Sequence, residues 1–239
     1  EIKREIIENN LYGVDLDEGA IEIAKLRFWL SLIVDEEDVK NIKPLPNLDY
    51  KVMQGNSLLT EYEGIDFDDI VEEYKPNVQL DFDYFGTQSD DIITKINNDM
   101  YEYIKTSHET DKRLIKERIE NSIVELVKNK ISEKATLGGI SWEKAEQSIR
   151  DFAQNRKHRN FFPWKLFFAD VFMSGGFDIV IGNPPYLEAR SPEYTEDMKI
   201  NNLTAVKKRI GSDVKYFSKG CDLLIFFFEL SLHILKRMG

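Results

Sequence analysis

The sequence predicts an α/β protein with a helical insertion. Three short apolar runs, each leading to a glycine or an acidic residue, have the composition of buried strands and lie at residues 11–15, 50–53 and 177–181. Apolar residues at helical spacing follow the first run and dominate the centre of the chain. These patterns predict that the three strands lie side by side and parallel in one sheet, with helices around it.

The composition excludes several classes of protein. The chain has 239 residues, 42% of them hydrophobic, and a net charge of −11, which argues against a protein that grips DNA over its whole surface. No stretch is long and apolar enough to span a membrane. One cysteine and three scattered histidines provide neither an internal disulfide nor metal-ligand spacing. We therefore expect a cytoplasmic protein with no membrane partner and no metal site.

The first predicted strand leads directly into a helix. Residues 11–15 end at Asp15, and Asp17 is placed to cap a helix over residues 18–34. Apolar residues occupy two faces of that helix, which predicts burial between neighbours. Rossmann-like folds use a carboxylate at such a strand end to accept both ribose hydroxyls of a nucleotide cofactor. Asp15 is therefore a candidate cofactor-binding residue.

The centre of the chain is predicted to be the helical insertion. From residue 60 to residue 160 the charge rises, strand signals fade and apolar residues take helical spacing. Two stripes carry this pattern: Ile92, Ile96, Met100 and Tyr103, then Ile115, Ile119, Ile123 and Leu126. We expect a helical hairpin or small bundle that acts as a structural spacer. It divides the core into a first part, residues 1–59, and a second part, residues 161–239.

The most informative segment is Asn183-Pro184-Pro185-Tyr186, which follows the run at residues 177–181. Each proline fixes its own φ and lacks a backbone donor, so the turn is stiff. It lies where open α/β sheets place ligands, and it presents an amide, backbone carbonyls and an aromatic ring. This set suits a planar substrate with an exocyclic amine, because the oxygens accept from the NH₂ group and the ring offers a stacking face.

The remainder of the chain is predicted to hold a loop and a helix. Residues 187–219 are polar and turn-rich, and residues 222–236 have the composition of a strongly apolar helix. Two short basic clusters are candidates for local contact with a polyanion: Arg156-Lys157-His158-Arg159, and Lys207-Lys208-Arg209. The second follows the Asn-Pro-Pro-Tyr turn closely, which favours it over the first.

Five segments together resemble one family. They are Tyr12-Gly-Val-Asp-Leu-Asp, Ala24-Lys-Leu-Arg-Phe-Trp-Leu-Ser-Leu, Gly55-Asn-Ser-Leu-Leu, Trp164-Lys-Leu and Gly176-Phe-Asp-Ile-Val-Ile-Gly-Asn-Pro-Pro-Tyr. In this order they resemble the methylase region of the type IIG restriction–modification enzymes, which fuse N6-adenine DNA methylation to a nuclease in one polypeptide. The resemblance covers about half of the chain, on both sides of the insertion.

The resemblance implies a fold, a cofactor and a set of roles. It implies a Rossmann-like methyltransferase sheet, S-adenosylmethionine (SAM) as cofactor and double-stranded DNA as partner. Asp15 lies at motif II and would bind the ribose of SAM, and Asn56 lies at motif III and would bind its adenine. The catalytic residues implied are those of motif IV, which would hold and stack on a flipped adenine: Asn183, Pro184, Pro185 and Tyr186.

Other parts of the family pattern are expected outside this sequence. The glycine-rich motif I is expected before Glu1, and the target-recognition domain and nuclease are expected elsewhere in a longer protein. The chain is therefore interpreted as a fragment with an incomplete sheet. Two other functions stay open: methylation of a protein glutamine side chain, for which Asn-Pro-Pro-Tyr also serves, and a non-catalytic helical interaction module. The insertion and the Trp164-Lys-Leu segment argue against the first.

Overall fold

A computed structural model of the chain describes residues 2–34, 47–62, 65–66, 88–106, 108–136, 139, 141–144, 146–147, 161–210 and 217–236. Its helices and strands are, in chain order, α1 (Ile2–Asn10), β1 (Gly13–Asp15), α2 (Glu18–Ile33), β2 (Val52–Gln54), β3 (Glu61–Tyr62), β4 (Ile65–Asp66), α3 (Gln88–Lys105), α4 (Glu109–Thr136), α5 (Trp164–Phe167), α6 (Ala169–Met173), α7 (Glu196–Ile210) and α8 (Leu223–Ile234).

The strands β1 and β2 form a parallel pair. Gly13 lies opposite Val52, and Asp15 lies opposite Gln54. The N–H of Gly55 donates to the Asp15 carbonyl at 2.9 Å, so the pairing continues one residue beyond β2. A parallel pair needs a crossover connection, and α2 lies in the connection here. The pair confirms the predicted α/β class and the predicted parallel arrangement of the first two runs.

Helices cover both faces of the pair. Val52 is buried in a small cluster with Ile7 of α1 and Ile21 of α2. The next residue, Met53, is buried in the main core with side chains of α3, α4 and α8. Successive strand residues point to opposite faces of a sheet, so the alternation at these two positions places one layer of helices on each side.

The helix α2 confirms the predicted cap and corrects the predicted burial. Asp17 Oδ1 accepts a hydrogen bond from the N–H of Ala20 at 2.9 Å, which satisfies a donor of the first turn. Ile21 is buried, whereas Ile23 and Leu26 are 59% and 49% exposed. The prediction of burial on two faces is therefore wrong within the described residues, because only one face of α2 has neighbours there.

The described part of the insertion is mainly helical, as predicted. All eight residues of the two apolar stripes are buried, and α3 packs against α4. The same core includes Met53 and Phe162, so the helical pair shares the core of the sheet. Sequence analysis missed the antiparallel pair β3–β4, since strands of two residues carry no periodicity. Residues 67–87 and 148–160 lie outside the described residues, and the domain boundaries stay predictions.

The third apolar run does not form the predicted buried strand. Phe177 makes an isolated parallel bridge to Leu235, with its N–H donating to the Ile234 carbonyl at 3.0 Å. Beyond Phe177 the described chain forms no strand, and Ile179 and Ile181 are 76% and 92% exposed. Branched apolar residues form a buried strand only where other elements pack on them, and no described element covers these two.

The segment predicted as a polar loop, residues 187–219, contains the helix α7. The Oγ1 of Thr195 accepts from the N–H of Met198 at 3.3 Å, and the first turn carries Glu196 and Asp197. Basic residues occupy the last turn, so charges at both ends complement the helix dipole. These end signals were present in the sequence, although the apolar stripe is weak. The predicted helix over residues 222–236 is confirmed as α8.

Candidate functional site

A cleft of about 690 Å³ lies at the carboxyl ends of β1 and β2. Its volume is within the range of small-molecule sites, and parallel α/β sheets place ligands at this end of the strands. The wall is formed by β1, the loop that follows β2, residues 177, 179–185 and 187, and parts of α7 and α8. The cleft brings together five of the six predicted site residues: Asp15, Asn56, Asn183, Pro184 and Pro185.

Asp15 lies at the carboxyl end of β1 with an exposed side chain. Its Oδ1 accepts from the N–H of Asp17 at 2.8 Å, which orients the carboxylate. The other carboxylate oxygen makes no hydrogen bond in the described part of the chain. Among the described residues that line the cleft, Asp15 is the one carboxylate, and none is a lysine or an arginine. This end of the cleft therefore offers an acceptor-only, anionic group to a ligand.

The loop after β2, residues 55–59, is held by distant parts of the chain. We call it the 55–59 loop. Three of its successive carbonyls accept hydrogen bonds from three different segments. The pairs are Ser57 with the indole Nε1 of Trp164 at 2.9 Å, Leu58 with Nη1 of Arg209 at 3.0 Å, and Leu59 with the N–H of Phe162 at 2.6 Å. The loop is thereby fixed before any ligand binds.

Asn56 is part of this fixed loop. Its Oδ1 accepts from the N–H of Leu58 at 3.1 Å, and its backbone carbonyl accepts from the N–H of Leu59 at 3.3 Å. This is an Asx turn, in which the side chain replaces a backbone acceptor. The side-chain nitrogen makes no hydrogen bond in the described chain, so it is available as a donor to a ligand. The oxygen retains a second lone pair.

Asn183, Pro184 and Pro185 form a second wall of the cleft. The Asn183 side chain is exposed and makes no hydrogen bond within the described residues. The Pro185 carbonyl accepts from the N–H of Leu187 at 2.9 Å, whereas the Pro184 carbonyl has no such partner there. The amide of Asn183 and the carbonyl of Pro184 are therefore both free to accept hydrogen bonds from a substrate.

Both ends of this wall are fixed to α8. The bridge from Phe177 to Leu235 holds the beginning, and the Leu187 carbonyl accepts from the N–H of Leu223 at 3.0 Å at the other end. The segment therefore has a defined place although it forms no strand.

Tyr186 is the predicted site residue that the cleft does not include. Its side chain is 85% exposed, although the preceding Pro185 lines the cleft. The ring lies outside the cleft wall. Its predicted stacking on a base therefore stays a prediction.

Sequence analysis missed a polar contact made by Tyr12, a residue that lines the cleft. The Tyr12 hydroxyl donates to Asp170 at 2.5 Å and accepts from the Lys51 ammonium at 2.7 Å. Its ring packs edge-on against Phe168 and Phe177, with centroids 4.9 and 5.6 Å away. Burial, together with the hydrogen bond to Asp170, raises the pKa of Tyr12, and burial lowers the pKa of Lys51. Tyr12 thus connects the start of β1 with α6 and with the chain leading to Asn183.

The helix α7 adds one apolar and two polar residues to the cleft that sequence analysis did not identify. Met198, Asn201 and Asn202 line it, and all three lie on a segment predicted to be a loop. Asn202 is buried and donates to the Tyr194 hydroxyl at 3.1 Å, so its amide is used within the protein. Asn201 is exposed at the cleft.

The charges of the basic cluster Lys207-Lys208-Arg209 are partly neutralised by ion pairs within the protein. Lys208 pairs with Glu61, and Arg209 is buried against Glu229, which leaves Lys207 exposed. The other basic cluster, residues 156–159, lies outside the described residues. Across the described ranges, no group of side chains is arranged to hold a metal ion. No helix in these ranges has the length and apolarity needed to cross a membrane.

Parallel strands with helices on both faces define an α/β protein, a class in which ligands bind in a cleft at the carboxyl ends of the strands. The sequence matches the Eco57I restriction-modification methylase family over residues 9–239, and the chain belongs to that family. This confirms the resemblance to restriction–modification methylases.

One relative extends this comparison. A putative type II restriction enzyme and methyltransferase from Methanocaldococcus jannaschii is 31% identical over 229 residues, which cover 81% of this chain and 19% of that protein. The chain therefore spans about a fifth of the length of this relative. No solved structure matches the chain.

Proposed function

We propose that the cleft is the methyl-transfer site of a SAM-dependent DNA methyltransferase that modifies the N6 amine of adenine. One observation carries the proposal: Asp15, Asn56 and residues 183–185, which are far apart in sequence, line one cleft at the carboxyl ends of parallel strands. Asp15 and Asn56, next to the carboxyl ends of β1 and β2, carry groups suited to a nucleoside. Residues 183–185 carry free acceptors suited to an amine. Membership of the restriction-modification methylase family supports the reaction class.

The β1–β2 end of the cleft fits SAM. The Asp15 carboxylate is an acceptor for the ribose hydroxyls, and the free amide nitrogen of Asn56 is a donor for an acceptor atom of the adenine ring. The cleft also carries no lysine or arginine among its described lining residues, so it does not repel a cationic sulfonium. Bound SAM supplies the activated methyl group.

The other wall holds the amine that is to be methylated. The lone pair of an exocyclic amine is delocalised into the ring, so the amine is a poor nucleophile. Its two N–H groups donate hydrogen bonds to the Asn183 oxygen and the Pro184 carbonyl. These bonds favour a more tetrahedral nitrogen whose lone pair points out of the plane of the base, toward the methyl group. Proline lacks an N–H that would compete for these acceptors. The chain thus acts by positioning and electrostatics.

A duplex must release its adenine before this geometry is possible. Base flipping places the target base in a pocket, and stacking on an aromatic ring offsets part of the lost base stacking. Tyr186 has an exposed ring next to Pro185 at the cleft, which suits it to contact the base or its neighbour. The exposed Lys207 at the end of α7 supplies a local cation for a phosphate.

The family match favours this function over the two alternatives. Restriction-modification methylases act on DNA, which disfavours glutamine in a protein as the substrate. The matched range, residues 9–239, includes the helical pair α3–α4, which favours a methylase over a separate helical interaction module.

Two variants of the natural full-length protein test the proposal. Asn183→Ala removes an acceptor of the reacting amine and should reduce the rate of methylation by about 100–1,000-fold, while SAM affinity stays close to wild type. Asp15→Ala removes the ribose acceptor and should act mainly on the affinity for SAM. Mass spectrometry of the DNA product should show N6-methyladenine. Radiolabelled methyl transfer and calorimetry with SAM measure the two effects separately.

Asn98→Ala is the matched control. Asn98 is exposed on α3 and does not line the cleft, so this variant should retain wild-type rate and affinity. Wild-type methylation by Asn183→Ala would refute the assignment of the amine-holding turn, and methylation at cytosine would refute the proposed target.

A further inference from the structure

Arg209 forms a buried ion pair that connects two helices of the cleft wall. Its side chain, on α7, is 8% exposed, and that of Glu229, on α8, is 5% exposed. Nε of Arg209 donates to Oε1 of Glu229 at 3.1 Å and Nη2 donates to Oε2 at 2.5 Å, so two nitrogens of one guanidinium contact the two oxygens of this carboxylate. Charge-assisted, bidentate pairs of this kind have a defined geometry. The pair therefore fixes the position of the guanidinium.

The same guanidinium reaches the 55–59 loop. Nη1 of Arg209 donates to the Leu58 carbonyl at 3.0 Å, across 151 positions of sequence. The N–H of this same Leu58 donates to Oδ1 of Asn56. The contacts thus form a continuous series from Glu229 through Arg209 and Leu58 to the side chain of Asn56, which lines the cleft. The backbone N–H and the backbone carbonyl of Leu58 both make hydrogen bonds in this series.

We propose that Arg209 is a positioning residue for cofactor binding, acting through Leu58 on the side chain of Asn56. The proposal rests on the function proposed above for the cleft. The planar guanidinium presents donors in several fixed directions, so one side chain satisfies Glu229 and Leu58 at once. A lysine places its charge at a single point and cannot reproduce both contacts.

Stability alone is a poor explanation for this arrangement. Removing two charges from water is costly, and a buried ion pair often contributes no more than well-packed apolar residues. The particular gain from an arginine here is geometric, because it holds the turn that orients the Asn56 amide. A purely structural role predicts changed stability with unchanged affinity for SAM. The positioning role predicts changed affinity in protein that is still folded.

Hydrogen exchange tests the positioning without any cofactor. In Arg209→Lys, which keeps the cation beside Glu229, the amides of Leu58 and Leu59 should exchange about tenfold faster than in wild type, since their turn loses its anchor. Arg118→Lys is the matched control. Arg118 pairs with Asp99 and Glu102 on the helical pair α3–α4, away from the cleft. Exchange in the 55–59 loop should not change in that variant.

A double-mutant cycle tests the path through Asn56. In the full-length protein, Arg209→Lys and Asn56→Ala should each weaken SAM binding by about tenfold, roughly the effect of one hydrogen bond. The double variant should be no weaker than Asn56→Ala alone, because the anchor has no effect once the amide is gone. The rate at saturating SAM should change less than the affinity.

The outcomes separate this proposal from the function proposed for the cleft. If Arg209→Lys binds SAM like wild type, or if the two effects on affinity add in full, the positioning role is wrong. The role is also wrong if exchange in the 55–59 loop is unchanged. If wild-type full-length protein binds no SAM while exchange responds to Arg209→Lys, the anchoring stands and the proposed function fails.

Discussion

The indole Nε1–H of Trp164 donates to the carbonyl of Ser57 at 2.9 Å, although the two residues are 107 positions apart. The bond connects the chain that follows the helical insertion with the loop that follows β2. It gives a physical reason why a Trp-Lys-Leu segment accompanies a Gly-Asn-Ser segment in this sequence. The two segments meet at the β1–β2 end of the cleft, and each contributes to the position of the other.

Trp164→Phe should destabilise the fold. The phenyl ring retains packing against Phe162 and Phe168, but the Ser57 carbonyl loses its donor. We expect the free energy of unfolding to fall by about 1–3 kcal/mol, measured by urea denaturation. Trp142→Phe is the control, because Trp142 is 60% exposed and its loss should have little effect. Equal stability of the two variants would contradict the anchoring role of the indole.

Gly55→Ala should be destabilising because of a close backbone approach. A Cβ at this position would lie 2.9 Å from the Phe161 carbonyl oxygen and 3.0 Å from the Cβ of Phe162. Relief of such crowding typically costs about 1–3 kcal/mol. Thermal and urea unfolding measure the loss, and SAM affinity in the full-length protein should fall with it, since Asn56 follows directly.

Gly13→Ala provides the comparison for Gly55→Ala. A Cβ on Gly13 would meet Val52 Cγ1 at 3.6 Å, which is an ordinary contact. This variant should match wild type or gain up to about 1 kcal/mol, because alanine reduces the entropy of the unfolded chain. A loss as large as that of Gly55→Ala would show that crowding is not the cause.

Local sequence patterns predicted those elements whose signals are themselves local. The cap at Asp17, the buried stripes of α3 and α4, and the apolar α8 follow from residue types at fixed spacing. Strand-end patterns identified Asp15 and residues 183–185 as candidates, the family resemblance added Asn56, and the structure places all of them in one cleft.

Features that depend on distant partners escaped sequence analysis. The run at residues 177–181 has the composition of a strand, yet pairing requires a neighbour that composition does not reveal. Arg209 appeared as one residue of a basic cluster, but in the structure it contacts Glu229 and Leu58, which lie 20 and 151 positions away in sequence. The contact between Tyr12 and Asp170 was missed for the same reason.

The stability of the protein should depend on pH through Asp49. Burial opposes ionisation of this carboxyl, but hydrogen bonds from the Tyr103 hydroxyl at 2.6 Å and the Lys25 ammonium at 3.0 Å outweigh it, so the pKa of Asp49 is lowered. The pKa of Asp49 in the unfolded chain is 3.8, and a lower pKa in the folded protein stabilises the fold at every pH above that value. This stabilisation is lost as the pH falls through the pKa of the folded protein.

Asp49→Asn tests this dependence. At about pH 6 the free energy of unfolding of this variant should be lower than that of wild type. The difference between the two should shrink as the pH falls toward about 2. Urea titrations across that range measure the difference. Asp111→Asn, which removes an exposed carboxylate on α4, controls for the change of one unit in net charge. A difference for Asp49→Asn that is constant with pH would contradict the assignment.

Substitutions at Tyr186 should affect DNA methylation without affecting folding. The side chain is 85% exposed, so neither Tyr186→Phe nor Tyr186→Ala should change the free energy of unfolding by more than about 0.5 kcal/mol. Stacking of a base on an aromatic ring contributes about 1–3 kcal/mol, and phenylalanine retains that ring face. Tyr186→Phe should therefore methylate DNA almost as wild type, whereas Tyr186→Ala should lose about 5–150-fold in kcat/KM for DNA.

The affinity for SAM distinguishes this role from a general defect of the cleft. Because Tyr186 lies outside the cleft wall, SAM binding to the full-length protein should be equal in wild type and both variants. Tyr101→Ala is the matched control, since Tyr101 is an exposed tyrosine on α3 and its loss should leave methylation unchanged. Fluorescence of 2-aminopurine at the target position reports base flipping directly. Tyr186→Ala with full flipping fluorescence and a wild-type rate would show that the ring does not contact the base.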